Sequence, residues 1–341
     1  LGRRARRGEA RRALAAGRGR VAAAVRRGLL LLAVAALLVA LLPSDGWAWS
    51  PGTHIFLGQS VLANLPLLPG AVADLLRAFP IDFLYGSIAA DTSFAKKYAP
   101  VGRHSHAWHV GQEIAELAGS ESLRAFGLGY LAHLAADVVA HNFFVPRRLV
   151  LTSSTRALGH SYWEARFDMH VGEGCAKTAR EIIGRDHSAS DEHLDRIISP
   201  TIFSVRTNRR LFRGLVQLTD LAQWQRVVQI AADRSRWDLP EHEVERHMAT
   251  SFDFVMDFFI ARDAAQALRF DPSGTDALSA AKRMRRHALQ SGGRRDRERV
   301  TDVAEEHFGL PRTGLGYWDG YDVEPAWRRP GPRVTARRAR H

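Results

Sequence analysis

The segment HLAADVVAH, residues 133–141, places three polar side chains in one line inside an otherwise apolar run. His133, Asp137 and His141 are four residues apart, and such residues lie on one face of an α-helix, one turn above another. Burying unpaired imidazole and carboxylate groups is costly, and metal coordination satisfies them. A metal-binding stripe on a buried helix is therefore one interpretation of this spacing. The alternative is a set of core histidines that are satisfied by protein partners.

A second segment, HSYWE at residues 160–164, repeats this spacing with a different carboxylate. His160 and Glu164 would also lie one turn apart on a helix. Either pair alone would favour an ordinary surface pair or a core histidine. Two such pairs in a chain with further Asp and His clusters favour metal binding.

A third group of candidate ligands precedes both helices. Asp91 ends the run YGSIAAD, and a loop with three histidines follows in GRHSHAWHVG. His104, His106 and His109 are the candidates for a ligand in this loop. A solvated turn is the alternative interpretation of this loop.

A fourth group depends on an export signal at the N-terminus. An Arg-rich stretch and the apolar run GLLLLAVAALLVALLP at 28–43 are typical of a signal peptide, with a cleavage site after Ala48. An uncleaved anchor is the alternative. After cleavage, Trp49 would carry a free amine that can chelate a cation together with its own carbonyl, and His54 would lie one turn into the next helix. Otherwise Trp49 is a packing residue and His54 a surface histidine.

Helices nearly throughout the chain are expected to position these residues. Ser50 is the expected N-cap and Pro51 the first residue of a helix within 49–65. A long apolar helix over 123–144 should stop before Pro146. Further helices are predicted over 155–172, 201–232, 240–268 and 296–309. Because no alternating β-branched runs occur, the predicted fold class is all-α.

The composition is that of a globular protein, with 46% hydrophobic and 25% charged residues. The net charge of +12 arises from the two ends, since residues 1–27 hold ten arginines and residues 328–341 hold six. The body between them is close to neutral, so basicity gives no reason to infer a specific nucleic acid partner. Cys175 is the single cysteine, so no internal disulfide can form, and either bound metal or a well-packed core would supply stability instead.

These residues, in this order, resemble the bacterial zinc-dependent phospholipases C and, more distantly, the fungal single-strand zinc nucleases. The matching elements are WS at 49–50, AAD ending at Asp91, HLAAD at 133–137 and HSYWE at 160–164. That family is all-α, and its mature chain begins with a Trp that binds zinc through its own amine and carbonyl. The resemblance spans roughly residues 49–167 and implies a single helical domain with metal ligands on facing helices.

The resemblance implies about three Zn²⁺ ions held by N and O ligands. The ligands of the first ion would be Asp91, His106, His133 and Asp137. Those of the second would be Trp49, His54 and a bridging Asp137, and those of the third His141, His160 and Glu164. Asp91 could also act as the catalytic general base for the attacking water.

A centre of this kind hydrolyses phosphoesters, and the resemblance implies a phospholipase C that acts on phospholipid headgroups through metal-activated water. A secreted zinc nuclease or other phosphodiesterase is one alternative, and a non-catalytic exported protein stabilised by zinc is another. Trp108, Tyr162 and Trp163 could line a headgroup or base pocket, although aromatic residues at such spacing are more often core.

Three regions are expected along the chain. Residues 1–48 form a signal peptide or anchor, residues 49–270 the all-α domain, and residues 271–341 an extension with helical and disordered parts and an Arg-rich tail. The tail could contact a membrane surface, although a solvated tail is the alternative. The protein is expected to be a monomer that is secreted, periplasmic or membrane-associated.

Overall fold

The computed structural model describes residues 49–93, 103–152, 156–201, 203–219, 226, 229–230, 232–292 and 297–318. The predicted export signal and the Arg-rich tail lie outside these ranges, as does most of 220–232. The expectations about those segments stay predictions.

The described residues form helices and turns and contain no β-strand, which confirms the all-α fold class. In chain order the α-helices are α1 Pro51–Ala63, α2 Gly70–Ala78, α3 Pro80–Ala89, α4 Trp108–Glu116, α5 Glu121–Val139, α6 Val145–Leu151, α7 Arg156–Val171, α8 Glu173–Ile183, α9 Ser188–Ile197, α10 Val205–Thr219, α11 Glu241–Ala261, α12 Thr275–Gly292 and α13 Arg297–Phe308. A π-helical turn, Ala140–Phe144, joins α5 to α6, and short 3₁₀ turns occur at Leu65–Leu67, Ala90–Thr92, Arg262–Ala264 and Gln266–Arg269.

Helix α1 begins where the sequence predicts, but the side chain that caps its N-terminus is not that of Ser50. Pro51 is the first helical residue and Ser50 has the extended N-cap conformation, yet the Ser50 side chain makes no capping hydrogen bond. Instead, Oδ1 of Asp168 on α7 accepts from the backbone N–H of Thr53 at 2.9 Å and from its hydroxyl at 3.0 Å. A carboxylate at a helix N-terminus satisfies a free N–H and complements the helix dipole. Asp168 thereby anchors the segment that carries His54.

Helix α5 is the central helix and packs against α3, α4 and α11. Its crossing with α3 is close because two glycines face each other. A Cβ on Gly86 would lie 2.0 Å from the carbonyl oxygen of Phe126, and a Cβ on Gly129 would lie 2.0 Å from that of Phe83. Any side chain at either position would push the helices apart. The close crossing brings the turn that holds Asp91 beside α5.

The prediction that the apolar helix stops before Pro146 was wrong. Helix α5 widens into the π-turn Ala140–Phe144 and continues as α6, with Pro146 in the first turn of α6. A π-turn shifts the hydrogen-bond register, and proline is tolerated in the first turn of the helix that follows. The helix therefore continues past the proline to Leu151.

The run Glu121–Leu151 is long and apolar enough to cross a membrane by length and composition alone. Within the fold, 83% of its most apolar window is buried. Both features are those of a core helix, which must be apolar on several faces because it is surrounded by other helices.

The remaining helix predictions match the structure in type but less well in extent. Helix α7 ends at Val171, followed by Gly172 at φ +91°, as the glycines indicated. Helix α11 ends at Ala261 rather than near residue 268, because 3₁₀ turns take over at Arg262. Helix α13 covers nearly all of the predicted 296–309.

The described part of the C-terminal extension packs onto the helical body. Helices α12 and α13 both contact α6. Arg285 donates to the carbonyl oxygen of Val150, and Nε of Arg147 lies 3.0 Å from Oε2 of Glu305. The described residues all belong to one compact unit.

Candidate metal centre

Five predicted ligands form a buried cluster, which we call the first cluster: His54, Asp91, His106, His133 and Asp137. Asp137 lies at its middle. Its Oδ2 is 2.9 Å from Nε2 of His106 and 3.1 Å from Nε2 of His133, while its Oδ1 is 3.2 Å from Nε2 of His54. The two oxygens thus face different histidines, an arrangement that suits a carboxylate bridging two ions.

Asp91 lies in the 3₁₀ turn that follows α3, and its side chain is fully buried. Its Oδ1 is 3.3 Å from Nε2 of His106 and 3.9 Å from Nε2 of His133. Of the three histidines in the loop that follows it, His106 is the one that reaches this cluster. His104 accepts through Nδ1 from the backbone N–H of His106 at 3.1 Å, and His109 is exposed.

The other three predicted side-chain ligands, His141, His160 and Glu164, form the second cluster. All are nearly fully buried. Nε2 of His160 lies 2.6 Å from Oε1 of Glu164, and the rings of His141 and His160 meet edge to face with centroids 5.2 Å apart. The ring of His141 is also 6.1 Å from that of His106, so the two clusters adjoin.

Backbone carbonyls orient one histidine in each cluster. Nδ1 of His133 lies 2.9 Å from the carbonyl oxygen of Ser87, and Nδ1 of His141 lies 2.5 Å from that of Pro272. In a neutral ring Nδ1–H must be the donor, which leaves the Nε2 lone pair facing the cluster. Histidines that bind metals are commonly held in this way.

The residues present fit zinc. Nε2 of His141 is buried and makes no hydrogen bond within the described part of the chain. Five imidazoles and three carboxylates gather here out of contact with solvent, and these are the N and O donors that zinc accepts. A bound cation would satisfy the buried lone pair of His141 and offset the clustered carboxylate charge.

The electrostatics favour the protonation states that bind metal. Burial lowers the pKa of His141 to about 3, although the charge of Asp137 opposes this. Burial and the nearby His133 also lower the pKa of His54. Burial disfavours the charged form of Asp137, but His133, His106 and His54 outweigh it and hold its pKa well below its usual value. Neutral imidazoles and an ionised carboxylate are the ligand forms that metals require.

His133 differs from the other two histidines. Burial acts to lower its pKa, yet the charges of Asp137 and Asp91 and the hydrogen bonds to Asp137 and Ser87 outweigh burial and raise it. The carboxylates therefore attract positive charge at this position. A metal cation supplies that charge without a proton.

The side chain of Trp49 is a packing group. It is fully buried, its indole N–H donates to the carbonyl oxygen of Ala136 at 3.1 Å, and its ring centroid lies 3.9 Å from that of Phe167 and 5.2 Å from that of Phe144. A ligand role for the amine and carbonyl of Trp49 depends on cleavage after Ala48, which lies outside the described residues. That role stays a prediction.

The aromatic residues considered for a substrate pocket contact the protein. Trp163 is buried, with the guanidinium of Arg148 4.8 Å from its ring centroid. Trp108 stacks on Phe258 at 5.5 Å. The hydroxyl of Tyr162 accepts from Arg166 at 2.8 Å. These contacts favour the packing interpretation.

Sequence reasoning missed two contributors to this centre. Asp168 lies one turn after Glu164 and caps α1, and the turn at 271–274 supplies the carbonyl that holds His141. The sequence D-P-S-G at 271–274 is typical of a type I turn, so the turn itself could have been found. Nothing in the sequence indicates that His141 is its partner.

A family model described as zinc dependent phospholipase C matches residues 53–205. The match includes all eight side chains of the two clusters and confirms the resemblance drawn from the sequence motifs. No curated protein and no solved structure matches this chain.

Proposed function

We propose that this chain is a hydrolase that cleaves phospholipid headgroups at the phosphoester bond. Its residues 53–205 match the family model of zinc-dependent phospholipase C. The observation that carries the proposal is the pair of adjoining, buried clusters in which eight His, Asp and Glu side chains converge. The family match supports a phospholipase C-type hydrolase, and the substrate is the further step of the proposal.

The residues of the first and second clusters would hold about three zinc ions, with Asp137 as the bridging ligand. When bound, zinc lowers the pKa of water and stabilises negative charge on phosphoryl oxygens and on the leaving alkoxide. The carboxylate of Asp91 is fully buried beside two imidazoles, and we assign it the role of general base that takes the proton from water. The carbonyls of Ser87 and Pro272 hold two ligand rings in their metal-binding orientation.

Asp137→Asn tests whether the centre is catalytic. Asparagine keeps the shape of the side chain but loses the charge and one of the two oxygens that face the histidines. We expect hydrolysis to fall by about 100-fold or more, because both ions that share Asp137 are disturbed. The assay uses zinc-loaded protein with phosphatidylcholine, single-stranded DNA and a phosphomonoester. The control is Asp74→Asn, at an exposed side chain paired with Arg77.

The same panel separates the alternatives. Unchanged hydrolysis in Asp137→Asn would contradict the catalytic role. If the wild type binds zinc but hydrolyses none of these substrates, a purely structural role of zinc is the remaining interpretation. Cleavage of DNA without cleavage of phospholipid would assign the nuclease function instead.

A further inference from the structure

The turn Asp271-Pro272-Ser273-Gly274 lies beyond the region that matches the family, yet it reaches the second cluster. The backbone N–H of Gly274 donates to the carbonyl oxygen of Asp271 at 3.0 Å, and the backbone N–H of Ser273 donates to Oδ1 of Asp271 at 3.0 Å. Both bonds tighten the turn, and proline at its second position limits the backbone further. The turn is therefore a stiff support.

Three consecutive carbonyl oxygens of this segment accept from side chains of the helical body. That of Phe270 accepts from the indole N–H of Trp108 at 2.9 Å. That of Asp271 accepts from the side-chain amide of Asn142 at 2.8 Å, and that of Pro272 faces Nδ1 of His141 at 2.5 Å. The segment is thus held by one side chain of α4 and by two side chains of the π-turn.

Gly274 permits this approach. Its φ is +54°, and a Cβ at this position would lie 2.4 Å from Cβ of His141 and 2.4 Å from its carbonyl oxygen. Any side chain would force either the turn or His141 to move. Only glycine has both the backbone freedom and the small size that the contact requires.

We propose that residues 270–274 are a positioning element for the second cluster. The carbonyl of Pro272 fixes His141 in the Nδ1–H tautomer and aims Nε2 at His160 and Glu164, and Gly274 allows the contact. The inference rests on the proposed zinc centre and extends it, because it makes zinc affinity depend on a segment outside the matched region. His141 is the ligand, and the segment acts through it.

Gly274→Ala is the first test, in the full chain, with zinc affinity measured by competition with a chelator. We expect one ion to bind about 10–100-fold more weakly, while the affinities of the other ions are unchanged. Gly314→Ala is the matched control. Gly314 has a similar φ of +66°, but a Cβ added to it would have no atom within 4 Å, so the substitution adds strain without touching a ligand.

Asp271→Ala is the second test, because it adds no atoms beside His141 and cannot fail through a clash. It removes the side-chain acceptor that holds the turn, and we expect the same ion to bind more weakly. In a His160→Ala background, where the second cluster has already lost a ligand, neither change should weaken the remaining ions further.

The inference is overturned if Gly274→Ala and Asp271→Ala both bind every ion as tightly as Gly314→Ala. It is also overturned if nitrogen NMR of the zinc-free protein finds the proton of His141 on Nε2 rather than Nδ1. A wild type that binds zinc at the second cluster but hydrolyses no phosphoester would reject the proposed activity and leave these affinity differences as the test of the positioning element.

Discussion

Asp168 serves the metal centre without belonging to either cluster. It accepts two hydrogen bonds from Thr53, next to His54, and so fixes the first turn of α1. Burial raises the pKa of its carboxyl to about 6, although the hydrogen bonds from Thr53 oppose this shift. The cap is therefore a carboxylate whose charged form is disfavoured by its surroundings.

Asp168→Asn should change the pH dependence of stability. Between about pH 4 and pH 6, folded Asp168 holds a proton that the unfolded chain has released. Its favourable contribution is therefore full below about pH 4 and lost as the pH rises through 6. Asparagine does not titrate but still offers an oxygen to Thr53. The free energy of unfolding of the variant should rise relative to wild type across this window.

Urea unfolding of zinc-free wild type and Asp168→Asn at several pH values between about 3.5 and 7 measures this difference. Both proteins share all other titrating groups, so the difference isolates Asp168. A difference that stays constant over the window would show that Asp168 titrates alike in the folded and unfolded chain.

At the residue scale, spacing predicted which side chains pair along one helix, as for His133 with Asp137 and His160 with Glu164. Spacing could not predict that His54 faces Oδ1 of Asp137 whereas His133 faces Oδ2. That contact depends on how two helices pack, and only the family resemblance gave the order of ligands around the ions.

At the element scale, the crossing of α3 and α5 sets the geometry of the first cluster. Gly86 and Gly129 let the two backbones meet, and Ser87, next to Gly86, reaches His133 through its carbonyl oxygen. A displacement at the crossing would therefore move a contact of a metal ligand as well as the core.

Gly86→Ala should destabilise the fold by about 1–3 kcal/mol, because its methyl group has no space beside the carbonyl of Phe126. Zinc affinity of the first cluster should fall as the Ser87 carbonyl moves from His133. Chemical unfolding and zinc titration measure the two effects.

The matched control is Gly214→Ala on α10, a helical glycine with no atom within 4 Å of an added Cβ. This change should be neutral or stabilise the fold by up to about 1 kcal/mol. Equal stabilities for the Gly86 and Gly214 variants would mean that the crossing can relax without cost.

The helical class was predictable at this scale because the chain contains long apolar segments without alternating β-branched runs, but one helix boundary was not predictable. Pro146 is a normal stop signal, and the π-turn before it removed the conflict between proline and a continuing helix. The side-chain amide of Asn142 in this turn donates to the carbonyl oxygen of Val138 in α5 at 3.0 Å. Neither feature has a distinct sequence pattern.

For the whole molecule, the ligands come from separate parts of the chain. The first cluster draws on α1, the turn after α3, the loop before α4, and α5, and the second draws on the π-turn and α7. Ions that bind only the folded arrangement stabilise it by mass action. With zinc bound, the centre would act as a set of cross-links in a chain whose single cysteine can form no internal disulfide.

Removing zinc should lower the thermal unfolding temperature, and restoring it should raise the temperature again. Each ion contributes about 2.7 kcal/mol when free zinc is about 100 times its dissociation constant. Differential scanning calorimetry over a zinc titration measures the shift, and His160→Ala should show a smaller one. An unfolding temperature that does not respond to zinc would contradict metal binding by the folded state.

The packing of the described residues 271–292 and 297–318 could not be predicted from the sequence. Helix α12 buries small and medium side chains such as Leu278, Ala281 and Ala288 against its neighbours, and it is less hydrophobic on average than α11, which buries several aromatic residues. The role of the 271–274 turn depends on that packing.

The distance along the chain between Glu164 and Gly274 also has a consequence for biosynthesis. The ribosome adds the intervening residues over on the order of ten seconds. The ligands of the first cluster have all been synthesised by Asp137, whereas His141 acquires the carbonyl of Pro272 only after the turn has emerged. The ligand set of the first cluster is therefore synthesised before that of the second, and the second cluster gains its orienting contact only after residue 272 has been made.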